Sequence, residues 1–312
     1  PGVGIDTDVV ANARFDDHGA TVKMNPFRNS MEKWEAQERC GSSRCRRRPP
    51  AMTVHPYPES RSEQRSALLV ATLTSFMGPF LISSVNVALP TIQKEFAVDA
   101  VLLSWIATAY LLAMAVVLVP AGKIADIYGR KKIFLWGLSV YTLSSGLSAF
   151  VDGIGGFLFL RVFQGAGAAM FVTTGMAILT SVFPPATRGK AIGLYVAAVY
   201  IGLSVGPFAG GLLTQHFGWR SIFILVVPMG AASIGVTLKF LSGEWADARG
   251  ERLDVVGSLL YAISILMLVY GATQIPAPSA PLLMLGGVAG LAGFVWQEVR
   301  RSEEHTSELQ SL

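Results

Sequence analysis

Charge is scarce in this sequence. Only 15% of its 312 residues are Asp, Glu, Lys or Arg, against about 25% in a soluble domain. That is too little to clothe a water-facing globule. Cysteine is nearly missing as well. Cys40 and Cys45 stand alone in a polar N-terminal stretch, with no second pair. The four histidines, His18, His55, His216 and His305, show no ligand spacing. No metal and no cofactor is therefore expected. There is no nucleophile–base set and no phosphate-cradling glycine loop, so nothing supports an enzyme. The first 65 residues lack the apolar core of a signal peptide. Finally, the long apolar runs contain neither Asp nor Glu.

What is present is apolar. Hydrophobic residues make up 52% of the chain, and they gather into runs near the roughly 20 residues that a membrane helix needs. These runs are Ser66–Pro90, Val101–Ala121, Ile133–Phe150, Phe157–Phe183, Ala191–Thr214, Ser221–Leu241, Val255–Ala272 and Leu282–Trp296. Gly78-Pro79 interrupts the first, and Pro184-Pro185 ends the fourth. The chain thus reads as all-α and polytopic, in contact with a lipid bilayer.

The organising stretch is Gly122-Lys-Ile-Ala-Asp126-Ile-Tyr-Gly129-Arg130-Lys131-Lys132. It is too short to hold a domain, so the second and third runs must be antiparallel neighbours. Its cations mark its side as cytoplasmic. Arg61 and Arg65, Arg188 and Lys190, Lys239, Arg249 and Arg252, and Arg300 fall on that same side, whereas the opposite turns carry only Lys94 and Arg220. Both ends should then be cytoplasmic. The same distribution explains the basic pI without a nucleic-acid surface, because the cations sit in separate short turns.

The expected divisions are a polar tail at 1–65, a six-span unit at 66–241, a linker at 242–254 and two further spans at 255–300. Arg44-Cys-Arg-Arg-Arg48 in the tail reads as disordered. Met52, or alternatively Met24, is the expected natural start, and a genuine cytoplasmic tail is the other reading. Residues 301–312 contain Arg301-Ser-Glu-Glu-His-Thr-Ser-Glu-Leu-Gln-Ser311, the translation of a sequencing-adapter string. They are expected to be foreign to the natural chain, and re-sequencing the locus checks this.

The basic stretch fits the pattern G-x-x-x-D-x-x-G-R-[RK]-[RK]. Further along stand Phe157-Leu-Phe-Leu-Arg161-Val-Phe-Gln164-Gly165-Ala-Gly167 and Gly202-Leu-Ser-Val-Gly206-Pro207-Phe-Ala-Gly210-Gly211. Asn86-Val-Ala-Leu-Pro90 closes the first run, and Trp219-Arg220 opens the sixth. In this order and on these runs, the motifs resemble the major facilitator superfamily, and within it the fourteen-span drug:proton antiporters. The resemblance implies a six-helix bundle built as a three-plus-three inverted repeat, two extra transmembrane helices, and a missing C-terminal half. It also implies export of small amphipathic or cationic compounds in exchange for protons. A non-transporting membrane scaffold derived from the same fold is the alternative. It draws on one departure: the family usually has an aspartate where this chain has Leu81. A proton-driven carrier generally needs a protonatable group inside the membrane. Here that group would lie in the missing half, or coupling would use something else.

By this resemblance Gly122, Asp126, Gly129, Arg130 and Lys131 form a gating latch on the cytoplasmic side; the plainer reading is a solvated loop. Asp126 and Arg130 are spaced to pair if the segment is helical. Arg161 lies inside an apolar run, where an arginine costs about 2.5–3.5 kcal/mol on insertion scales. It should therefore face the bundle interior, with Asn86, Ser83, Ser84, Gln164 or backbone carbonyls as acceptors. It either lines the substrate cavity with them or clamps spans one and four. Gly202, Gly206 and Gly210 share one helix face, and Pro207 removes a helical hydrogen bond. That face either packs across the two halves, as the resemblance implies, or is ordinary helix packing. Gly211 completes the motif.

Overall fold

Eight apolar runs bounded by Gly, Pro and charge give eight α-helices and no strand among the described residues. The computed structural model describes residues 61–241, 243–244, 253–275 and 277–310, with the backbone alone for residues 61 and 301–310. Of the expected tail at 1–65, residues 1–60, with Met24, Met52, Cys40 and Cys45, lie outside the described residues, and the remainder belongs to the first helix. Most of the 242–254 linker, including Arg249 and Arg252, also lies outside them.

The helices are α1 (Arg61–Phe96), α2 (Ala100–Tyr128), α3 (Arg130–Ser148), α4 (Ile154–Val182), α5 (Pro185–Phe217), α6 (Arg220–Phe240), α7 (Val255–Thr273) and α8 (Ala280–Gln310). Several outrun the apolar stretches that foretell them, because a helix continues past the bilayer until something stops it. Asp99 caps α2 by accepting from the Leu102 amide at 2.8 Å. Pro184 caps α5, and Pro185 takes its first turn, where a missing N–H costs nothing. Asp254 caps α7 through the Gly257 amide at 3.0 Å. No helix end marks Arg300, since α8 carries on through the residues that follow.

Packing follows a repeat. Helix α1 lies on α5 as α4 lies on α2, and α1 meets α6 as α4 meets α3. The α2–α3 contact has its counterpart in α5–α6. Exchanging α1, α2 and α3 for α4, α5 and α6 therefore returns the same set of neighbours. Three helices per unit is an odd number, so the second unit enters from the opposite side and the repeat is inverted. The shared core contains Leu81, Ile106, Phe134, Tyr141, Phe157, Phe171, Phe223 and Trp219, all at 1% exposure or less. The α3–α4 crossing is tight. A Cβ on Gly167 would stand 2.7 Å from the Gly137 carbonyl oxygen.

Helices α7 and α8 form a hairpin attached through α2. The Tyr261 hydroxyl donates to the Ala115 carbonyl at 3.0 Å, and the Tyr270 and Trp105 rings lie 6.2 Å apart. Within the hairpin, a Cβ on Gly287 would sit 2.8 Å from the Leu268 nitrogen and the Ser264 oxygen. Gly286, Gly287 and Gly290 thus form a packing surface against α7.

Seven of these helices are long and apolar enough to cross a membrane among the described residues; α3 is the one that falls short. Its first turn is cationic, and Thr142, Ser144, Ser145 and Ser148 are buried along it. Each hydroxyl donates to a carbonyl of its own helix at 2.7 Å. Their polarity is thereby met inside the bundle, so composition understates how well α3 fits a membrane interior.

Candidate functional site

Arg161 sits on α4 at 1% exposure. An arginine this deep needs acceptors, and α2 and α4 supply them. Its Nε donates to the Ile106 carbonyl at 3.1 Å, and its Nη1 donates to Gln164 Oε1 at 2.7 Å. Gln164 passes the chain on, its Nε2 donating to Ser145 Oγ at 2.5 Å, and Ser145 donates to the Tyr141 carbonyl at 2.7 Å. The guanidinium also stands 5.2 Å from the Tyr110 ring centroid, 5.6 Å from Phe223 and 6.0 Å from Phe157. These contacts are all with neutral groups. The cation is held by hydrogen bonds and aromatic faces, and the network ties α4 to α2 and α3.

The expected clamp ran from α4 to α1. Of the named acceptors, only Gln164 and a backbone carbonyl serve. Ser83 and Ser84 turn the other way: Ser84 Oγ donates to the Gly206 carbonyl at 2.9 Å, and Ser83 Oγ to Pro79 at 2.8 Å and to Gly202 at 3.3 Å. Asn86 lies on an exposed part of α1. Sequence shows that an arginine is buried. It does not show the rotation of α1, which decides which polar residues face it.

The serines explain the glycines. Gly202, Gly206 and Gly210 are buried on α5 and lie directly against α1. A Cβ on Gly202 would stand 2.7 Å from the Phe76 carbonyl, one on Gly210 would stand 2.6 Å from Ser84 Cα, and one on Gly206 would run into Ser83 Oγ. This face therefore packs within the six-helix unit, not outward toward a second half. Pro207 is exposed, and Gly211 has only Val87 near its Cβ position, at 3.8 Å.

The basic stretch is less a loop than a one-residue break. Helix α2 runs to Tyr128, Gly129 takes φ +114, and α3 starts at Arg130. Asp126 and Arg130 pair across the break, with Nη2–Oδ1 at 2.8 Å, and Arg130 Nη1 donates to Ser181 Oγ at 3.0 Å. Gly122 meets nothing within 4 Å of its Cβ position. Sequence reasoning missed one participant. Glu244, just beyond α6, accepts from the Lys131 amide at 3.1 Å and the Lys132 amide at 3.4 Å. It satisfies donors that an α-helix leaves open at its N-terminus, while Lys131 Nζ donates to the Leu241 carbonyl. A lone acid in a polar linker carries no pattern to mark it. Glu244→Ala is expected to speed hydrogen exchange at Lys131 and Lys132 about tenfold. Residue-resolved exchange measurements check this.

Residues 69–252 match the family model described as Major Facilitator Superfamily. The chain is 36% identical over 244 residues to the multidrug resistance protein Stp of Mycobacterium tuberculosis, covering 75% of this chain and 45% of Stp. It is 33% identical to the tetracenomycin C resistance and export protein of Streptomyces glaucescens, covering 70% of this chain and 42% of that protein. The chain thus spans about half the length of the curated relatives it matches. In fold it is similar to the POT family transporter PepTSo, with a TM-score of 0.59 at 12% identity over 76% of this chain and 52% of that one. The matched stretch takes in all but the first turns of the inverted repeat, with the one-residue basic break and the buried arginine, and on that footing the chain belongs to the Major Facilitator Superfamily.

Proposed function

We propose that this chain is the N-terminal part of a secondary active transporter that exports small amphipathic or cationic compounds by proton antiport. The observation that carries the reading is Arg161: a fully buried cation held by neutral partners inside a half-bundle. Burying it is costly, and apolar packing alone would stabilise three helices more cheaply. A site where charge is used is the reading that accounts for that cost. The relatives support the direction of transport, since their names are those of resistance and export proteins. In carriers of this architecture substrate binds near the midplane, between two halves, so Arg161 and Gln164, both enclosed within this half here, would have to be uncovered for substrate to reach them. The basic break lies on the cytoplasmic side in this reading, as does each end of the chain.

The test is export of a fluorescent cationic dye from cells lacking other pumps and expressing the full-length carrier. Dye accumulation is expected to fall severalfold and to recover when a protonophore collapses the gradient. Accumulation equal to that of cells without the carrier would favour the scaffold reading. An impermeant maleimide should reach Lys132→Cys from the cytoplasmic side alone.

A further inference from the structure

The inverted repeat predicts partners as well as packing. Arg130 is the first residue of α3, and Arg220 is the first residue of α6. Ser181 stands next to last in α4, as Glu95 does in α1. Exchange of the repeats therefore carries the Arg130–Ser181 contact onto an Arg220–Glu95 contact at the opposite end of the bundle. That contact is present: Arg220 Nη1 donates to Glu95 Oε1. A glycine at positive φ lies just before each arginine, Gly129 at +114 directly before Arg130 and Gly218 at +80 two residues before Arg220. The basic loop signature covers the first of these corners; at the second, Trp219-Arg220 belongs to the resemblance but Glu95 does not.

The second corner is the more heavily built. Glu95 Oε2 also accepts from Trp219 Nε1 at 2.6 Å. Arg220 Nη2 donates to the Val151 carbonyl at 3.0 Å, lies 3.8 Å from the fully exposed Asp152, and its guanidinium stacks 4.5 Å from the Trp219 ring. Trp219 is 1% exposed. Its ring meets Phe157 at 5.2 Å, Phe96 at 5.7 Å and Phe223 at 5.9 Å. Phe157 and Phe223 are two of the three aromatic faces around the Arg161 guanidinium. A continuous run of edge-to-face rings thus leads from a surface carboxylate to the buried cation.

We propose that Glu95 is a positioning residue: with Arg220 it clasps α1 to α6 and holds Trp219 as the seal between solvent and the Arg161 cluster. The physical reason is the indole. A buried N–H that loses its acceptor must open to water or stay unsatisfied, and an open Trp219 uncovers Phe157 and Phe223. The seal deepens the reading of Arg161 as the transport site, whereas the clasp itself rests on geometry alone.

Phenylglyoxal, which reacts with water-accessible guanidinium groups, tests the proposal in proteoliposomes holding this chain, with peptide mass spectrometry reading each arginine. Arg161 should be protected in the unaltered chain. Glu95→Ala is expected to raise its labelling rate about tenfold, the shift in an opening equilibrium that one lost buried hydrogen bond brings. Arg130, at the other end, should label at an unchanged rate. Glu95→Gln keeps an acceptor for the indole but loses the charge, and should give a smaller increase; it also serves if the alanine variant does not fold. Wild-type protection of Arg161 in both variants, or an equal rise at Arg130, would overturn the proposal. The readout is independent of transport, so an intact clasp in a chain that exports nothing would count against the function alone.

Discussion

Arg161→Ala is expected to abolish export by the full-length carrier, at least about a hundredfold in rate, while the protein still inserts. The substitution frees Gln164 Oε1 and the Ile106 carbonyl, and it empties the space between Tyr110, Phe157 and Phe223. Losing one partner of a buried network costs about 1–3 kcal/mol. Yet the change also removes an insertion penalty of about 2.5–3.5 kcal/mol. The two are comparable, so abundance in the membrane should stay close to normal. What is lost without compensation is the charge. Arg161→Lys keeps that charge but cannot span Ile106 and Gln164 with a planar fork, and should retain a minor part of the activity. Export rates normalised to protein in purified membranes decide the matter. Wild-type export by the alanine variant would reduce Arg161 to a clamp.

The second large effect belongs to α5. Gly206→Val and Gly210→Val should each destabilise the bundle by about 3 kcal/mol or more, since overpacking costs about 1–3 kcal/mol even where side chains can yield. Here the obstacle at Gly210 is the backbone of Ser84 itself. At Gly206 the added carbons displace Ser83 Oγ, and moving α1 away also strains the Ser84–Gly206 bond. Gly211→Ala is the internal control, because its nearest neighbour is a Val87 methyl at ordinary contact distance. It should change stability by less than about 0.5 kcal/mol. Equilibrium unfolding in mixed detergent reads all three. Equal tolerance at Gly210 and Gly211 would refute the α1–α5 contact.

The architecture was readable because bilayers demand long apolar helices and short polar turns. Every expected run became a helix, and the inverted repeat is the arrangement that the resemblance implied. Arg161 was readable for the same reason, as the charge that did not belong. Its partners were not. Whether Ser83 or Ser145 joins its network depends on the rotation of α1 and α3 about their own axes, and hydrophobicity leaves that open when a helix is apolar on most sides. The motif glycines were visible as a face, but the facing helix was not. Glu95 and Glu244 escaped notice because each is a single acid beside a turn. Their importance comes from the helix ends brought to them in three dimensions.

The hydroxyl-rich face of α3 has a consequence for biogenesis. As it leaves the ribosome, α3 carries three cations in its first turn and is the one described helix whose composition falls short of a membrane span, and α4, which packs along it, has not yet been made. It is therefore expected to stay beside the translocon until α4 emerges, so that the two enter the bilayer as a pair. A chain stalled between them would leave α3 stranded at the channel, and a reporter fused directly after Ser148 would record the waiting state, not the finished topology.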